Sequence, residues 1–164
     1  GLEIAGKRAE REGALTSARL DDVGQKEVGQ ARAVAGEGVE EGGDFHRVSE
    51  GFMAQAGDGE FGKVGENPQR AGRGGSDLGN IEAEFSDLPF ERGTVGMARA
   101  QSPDSANSQF FIVFAESAFL NGQYTVIGQV TSGLDVLDNI KRGDPSTLQV
   151  TGEPDQMVAV RATE

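Results

Sequence analysis

The chain has 164 residues, 25 glycines, no cysteine, a single histidine and a formal net charge of −12. That length suits one domain with a real core. Disulfides, thiolate zinc sites, cysteine nucleophiles and multi-histidine metal sites are excluded, and the negative field argues against nucleic acid and anionic membranes as partners. No apolar run approaches the roughly 20 residues that span a bilayer. Solubility is the plain reading of the charge. Cytoplasm is the expected compartment without a visible leader, and the glycine start leaves a periplasmic origin open.

Residues 1–44 contain no aromatic side chain, nine glycines and sixteen charged residues. The best helical candidate there is Lys7 to Arg19, where helix formers dominate but the apolar face is mostly alanine. Ala35–Glu40 suits neither strand nor helix, and the whole segment reads as weakly ordered. From Phe45 the texture changes. Phe45–Val48 and Phe52–Gln55 are short strand candidates punctuated by Gly51 and Gly57. Residues 57–80 read as a long glycine-rich loop that includes Gly72-Arg73-Gly74-Gly75. Thr94–Ala98, Gln109–Phe114 and Thr125–Val130 read as buried strands. Gly133–Ile140 suits a short amphipathic helix, and Gln156–Ala162 an alternating last strand. Many short strands with few helices suggest a sandwich or a closed barrel.

Two clusters stand out. Phe45-His46-Arg47-Val48 with Gly51-Phe52-Met53-Ala54-Gln55-Ala56-Gly57-Asp58 mixes arginine, amide, aromatic and thioether side chains. Ser105-Ala106-Asn107-Ser108-Gln109-Phe110-Phe111-Ile112-Val113-Phe114 repeats the amide–aromatic mixture. Together they describe an apolar pocket with a few fixed polar groups, suited to a short uncharged peptide. Alternation along the second cluster sends Phe111 to one face and Phe110 with Ile112 to the other.

These clusters, with Gly96-Met97-Ala98-Arg99-Ala100 and Phe119-Leu120-Asn121-Gly122, keep the order and spacing of a known family. The chain resembles the cyclophilins, peptidyl-prolyl cis-trans isomerases that bind cyclosporin, and most resembles bacterial members. The resemblance covers about the last three quarters of the chain. It implies a mainly β fold, a closed eight-stranded antiparallel barrel with two capping helices, spanning residues 1–164 with atypical elements over 1–44. It implies rotation of X–Pro bonds to assist protein folding, without a metal or cofactor. A non-catalytic proline-peptide-binding or chaperone module on the same fold is the second reading.

On this resemblance Arg47 matches the catalytic arginine; taken without the motif it would read as a structural ion pair. Phe52, Met53, Phe111 and Leu120 match the proline pocket, Gln55 and Gln109 the polar groups that hold the substrate backbone, and Ala98, Arg99 and Ala100 the strand edge along which a peptide lies. The family often has asparagine where Arg99 stands; contacts there run through the backbone, so the change adds mainly a local positive charge. Phe119 and Tyr124 stand where many eukaryotic members have tryptophan and histidine, implying weak cyclosporin binding with catalysis retained. Proline peptides and unfolded proteins are the expected partners, and a monomer the expected state.

The remaining chemistry-bearing residues have blander readings. His46, adjoining a buried strand, reads as a structural histidine with its hydrogen bonds satisfied, flanking the site without acid–base work. Ser105 and Ser108 sit in nothing resembling an activated elbow. Gly72–Gly75 lacks the context of a phosphate cradle, so a mobile loop beside the pocket is expected, and a nucleotide-binding function is remote. The family's opening hairpin and helix are not legible over 1–44. That segment reads as a divergent form of them, a replaced extension or a sequence artefact such as a frameshift, the last slightly favoured by the sharp change at Phe45.

Overall fold

The computed structural model describes residues 2–7, 14–21, 43–63 and 68–162. Nine strands run in chain order: β1 (Leu2–Lys7), β2 (Ala14–Asp21), β3 (Gly43–Asp44), β4 (Arg47–Ser49), β5 (Met53–Ala56), β6 (Thr94–Met97), β7 (Phe110–Val113), β8 (Val126–Val130) and β9 (Gln156–Ala162). They form one sheet in the order β3-β9-β1-β2-β8-β6-β7-β5-β4, and every ladder is antiparallel. One α-helix, α1 (Leu134–Asn139), and two 3-10 turns, Pro103–Ser105 and Ala118–Leu120, complete the regular structure among the described residues.

The mainly β expectation holds, but a closed eight-stranded barrel with two capping helices is not what the described residues build. Strands β3 and β4 end the series and share no ladder, although only Phe45 and His46 separate them in sequence. The two linking residues bond instead to the segment before β9, Phe45 N–H to the Asp155 carbonyl at 3.0 Å and Val150 N–H to the His46 carbonyl at 3.1 Å. A single six-residue α-helix stands among the described residues where two caps were expected.

The helix expected over Lys7–Arg19 is also corrected. Lys7 ends β1 and Ala14–Arg19 belong to β2. The two strands pair with each other, Leu2 opposite Leu20, while β1 also pairs with β9 and β2 with β8. Intrinsic preference for helix is worth only tenths of a kcal/mol per residue, and ladder bonds on both sides of a strand outweigh it. Ala35–Glu40 lies outside the described residues.

Side-chain alternation splits the interior in two. Phe110, Ile112 and Phe114 join Val48, Val95, Met97 and Ile127 in the larger cluster, while Phe111 and Val113 join Met53, Phe90, Leu120 and Val126 in a smaller one. Strand β7 therefore closes the main core with one face and builds a second, shallower apolar layer with the other. That second layer carries the candidate site.

Candidate active site

Register brings the site together. Arg47 stands opposite Gln55 between β4 and β5, Gln55 opposite Phe111 between β5 and β7, and Phe111 opposite Gly96 between β7 and β6. Cross-strand partners project to one face of a sheet. A cation, an amide, a ring and a gap thus lie in line across four strands. The gap is needed: a Cβ on Gly96 would sit 2.8 Å from both the Phe111 and Phe90 rings. Without it, those rings stack with centroids 5.7 Å apart and planes at 16°.

Above this row opens a cavity of about 370 Å³, lined by Arg47, Phe52, Met53, Gln55, Ala98, Arg99, Phe111, Phe119, Leu120, Gln123 and Tyr124. Met53, Phe111 and Leu120 are buried and form its apolar floor. The 3-10 turn Ala118–Leu120 turns Leu120 inward and leaves Phe119 on the rim, 64% exposed and 5.3 Å from the Phe52 ring. Tyr124 meets Phe111 edge-on at 5.5 Å. Aromatic pairs at these separations favour tilted and offset arrangements, which orients the walls.

The polar side of the cavity is a directed chain of hydrogen bonds. Arg47 Nη1 donates to Gln55 Oε1 at 3.2 Å, Gln55 Nε2 to Gln109 Oε1 at 2.8 Å, and Gln109 Nε2 to the Gly74 carbonyl at 2.8 Å. A second cavity of about 310 Å³ adjoins the first and is lined by Gln55, Gly72, Arg73, Gly74, Ala98, Arg99, Ala100, Ser105, Asn107 and Gln109. All twelve residues expected at the site line one or both cavities, with Ala100 and Gln109 on the second alone.

Sequence reasoning missed several lining residues. Gln123 carried no signal of its own. Gly72, Arg73 and Gly74 fell in a run read as a loop beside the pocket and not as part of its lining, Ser105 was weighed only as a nucleophile, and Asn107 was given no role in the amide–aromatic cluster. It also underread Arg99. Its Nε and Nη2 donate to the Gln123 carbonyl at 3.1 and 2.9 Å, its Nη1 donates to the carbonyls of Ala100 and Gln101, and its guanidinium lies 4.7 Å from the Tyr124 ring centroid. The side chain, and not only the backbone, therefore ties the two walls of the cavity together.

His46 is buried, and neither ring nitrogen has a hydrogen-bond partner among the described residues. Burial pushes its pKa below the ordinary imidazole value, with Arg47 adding to the effect against Asp58, the Asp44 backbone and Gln109. The shift favours the neutral ring, and His46 lines neither cavity. Ser108 Oγ donates to the Gly57 carbonyl, and Ser105 Oγ accepts the Ala100 N–H. Neither is activated by a base. No group of three His, Cys, Asp or Glu side chains that could hold a metal occurs among the described residues, and no helix among them is long and apolar enough to cross a membrane.

Residues 13–164 match the family described as cyclophilin type peptidyl-prolyl cis-trans isomerase/CLD. The match thus begins well upstream of Phe45. A probable peptidyl-prolyl cis-trans isomerase of Brucella abortus (strain 2308) is 50% identical over 139 residues, covering 84% of this chain and 71% of the relative. Peptidyl-prolyl cis-trans isomerase B of Bacillus subtilis (strain 168) is 38% identical over 118 residues, covering 71% of this chain and 76% of the relative. The chain belongs to the cyclophilin-type peptidyl-prolyl cis-trans isomerase family.

Solved structures agree on the fold. A cyclophilin-type isomerase of Cryptosporidium parvum, crystallised in the presence of the dipeptide Ala-Pro, superposes with a TM-score of 0.75 at 22% identity, covering 100% of this chain and 99% of that one. A cyclophilin from Hirschia baltica gives 0.71 at 24% identity, covering 98% of this chain and 73% of that one.

Proposed function

We propose that the protein is a peptidyl-prolyl cis-trans isomerase that rotates X–Pro bonds in flexible or unfolded polypeptides. The observation that carries this reading is the row Arg47–Gln55–Phe111, which sets a guanidinium beside the apolar floor of the 370 Å³ cavity. An X–Pro bond resists rotation by about 18–20 kcal/mol, or tens of seconds per uncatalysed flip. No bond breaks, so the reaction needs no nucleophile, general base, metal or cofactor.

In the twisted amide the nitrogen loses resonance, becomes pyramidal and gains basicity. A cation donating a hydrogen bond to that nitrogen favours the twisted state over either planar one. Arg47 supplies the donor, with a planar fork that keeps both charge and orientation. Its Nη1 is held by Gln55, which leaves further N–H groups of the fork for the substrate. Phe52, Met53, Phe111 and Leu120 take the proline ring, with Phe119 and Tyr124 completing the rim. Gln55 and Gln109 hold the substrate backbone along Ala98–Ala100. Removing about 7 kcal/mol from the barrier would accelerate rotation roughly 10⁵-fold.

The same reading makes residues 1–164 one such domain, monomeric and cytoplasmic, serving unfolded clients in protein folding. Phe119 and Tyr124 support weak cyclosporin binding. Isomerisation of a proline peptide by the wild type and Arg47→Ala tests the assignment. The variant should lose about a hundredfold in kcat/KM, on the scale of a lost donor to developing charge. Equal rates would remove Arg47 from the mechanism. No acceleration by the wild type would leave a groove that only holds proline segments.

A further inference from the structure

Asp58 lies beside the site without lining either cavity, and the residue is only 3% exposed. It accepts four backbone N–H groups: Glu60 at 3.0 Å and Phe61 at 2.8 Å on Oδ1, Gly72 at 2.7 Å and Gly74 at 3.0 Å on Oδ2. Burial alone would raise its pKa, but these N–H bonds together carry it below the ordinary carboxylate value. A buried carboxylate with both oxygens satisfied is a fixed anchor. Here it pins the middle of the glycine-rich run.

That run lines the second cavity and bonds to the amide chain through the Gly74 carbonyl. The Gly74 oxygen accepts from Gln109 Nε2, which requires the Gln109 oxygen to face Gln55, and in turn the Gln55 oxygen to face Arg47. A primary amide can turn end for end with little steric change, since its oxygen and nitrogen are nearly the same size. Two glutamines in series could therefore present either pole to Arg47. The donor-only Arg47 favours an oxygen at one end of the series, and the Gly74 carbonyl, an acceptor of fixed position, enforces the same order from the other. Reversed, the Gln55 NH₂ would face the guanidinium donor to donor and push it from its place.

We infer that Asp58 is a positioning residue for the isomerase reaction: by clamping Gly72 and Gly74 it fixes the Gly74 carbonyl, which sets the polarity of Gln109 and Gln55 and thereby the place of Arg47. The clamp has little slack. Gly72 has φ of +89°, and a Cβ there would come within 2.9 Å of the His46 ring; one on Gly74 would lie 2.5 Å from Asp58 Oδ1. The run is packed between the carboxylate and the buried imidazole next to Arg47. Displacements of about 1 Å at a reacting group can cost a hundredfold in rate.

The inference rests on the assignment of Arg47, and its test separates the two. Asp58→Asn turns an acceptor toward a donor, and Gly72→Ala displaces the clamped backbone while keeping the carboxylate. Val130→Ala, in the main core away from the cavity, serves as a control of similar thermal loss. In the folded full chain, Asp58→Asn and Gly72→Ala should each lower kcat by about tenfold or more with KM nearly unchanged. Both should shift the side-chain amide resonances of Gln55 and Gln109, and Val130→Ala should do neither. Wild-type kcat in either folded variant overturns the role of Asp58, as does an equal loss in Val130→Ala. Should Asp58→Asn fail to fold, Gly72→Ala decides alone. Arg47→Ala run alongside distinguishes the claims: if it is slow while the clamp variants are fast, only the Asp58 inference falls.

Discussion

Gln55 Nε2 donates to Gln109 Oε1 at 2.8 Å, joining two amides that lie 54 residues apart in sequence. Neither amide is placed by its own strand alone. Gln55 is fixed by its register opposite Arg47 and Phe111, and Gln109 by the carbonyl of Gly74. Gln55 lines both cavities and Gln109 the second only.

Replacing Gln55 by leucine keeps the volume and removes both ends of this link. The Gln109 oxygen and Arg47 Nη1 then lose their partners. Because both face the solvent-open groove, the stability cost should stay near 1 kcal/mol, about that of one hydrogen bond. Activity should fall further than that, about tenfold or more in kcat/KM, because Arg47 is left unheld. Proline-peptide kinetics and a thermal melt on one preparation measure both effects. Activity within twofold of the wild type would show that Arg47 needs no such support.

Tyr124 sits between the Arg99 guanidinium at 4.7 Å and the Phe111 ring at 5.5 Å. Tyr124→Phe keeps both ring contacts and should keep KM within about twofold, whereas Tyr124→Ala loses both. An edge-on aromatic pair contributes about 0.5–1.5 kcal/mol and an exposed cation–π contact about 0.5–1 kcal/mol. KM should therefore rise several-fold in the alanine variant. A loss of the same size in Tyr124→Phe would point to the hydroxyl instead of the ring.

Gly96 is the gap that lets Phe90 and Phe111 stack. A methyl at that position would overlap both rings at 2.8 Å, and overpacking of a tight core costs about 1–3 kcal/mol. Gly96→Ala should lower the melting temperature by several degrees, since 1 kcal/mol corresponds to about 2–4 °C in a domain of this size. It should also weaken peptide binding, because Phe111 can yield only into the cavity. An equally stable variant with unchanged KM would show that the rings have other room.

Asp44 is perturbed in the opposite sense from Asp58. Burial raises its pKa to about 6, against a smaller lowering by the Gln156 side chain, and its Oδ1 is buried without a partner. A carboxyl whose folded pKa lies above its unfolded value of about 3.9 binds more protons when folded. Its contribution to stability is complete below about pH 4 and is lost as pH rises through about 6. His46, with a lowered pKa, has the reverse slope and loses stability as pH falls below about 6.5. The test is therefore a difference at each pH. Asp44→Asn should be more stable than the wild type near pH 7.5, and the advantage should shrink towards pH 4.5. A difference independent of pH would show that Asp44 is ordinary in the folded state.

Much of the fold was legible because its signals are local. In Phe110–Phe114, alternation separated the core-facing side chains from Phe111, and the structure places them in two clusters accordingly. Short apolar or alternating runs, two of them punctuated by glycine, marked β5 to β9 to within a residue or so, as did the pattern for α1. The site residues could be named because their order and spacing resembled a family. Where the local signal was weak, the reading failed: Lys7–Arg19 carries helix formers, yet pairing of β1 with β2 and β9 makes strands of its two ends.

By itself the sequence determined residue chemistry and alternation: one cation next to one histidine, no thiol or metal cluster, and an apolar set with period two. Tertiary structure alone decided which of these groups meet. The amide chain that gives Arg47 an oxygen ends on the Gly74 carbonyl, and the N–H of the same residue is bonded by Asp58, sixteen residues back along the chain. Whether Arg99 adds free charge or ties two walls together depends on carbonyls that the fold brings to it. Register and loop packing set such pairings over distances at which neighbouring residues carry no trace of them, because a hydrogen bond is made by position in space and not by order in the chain.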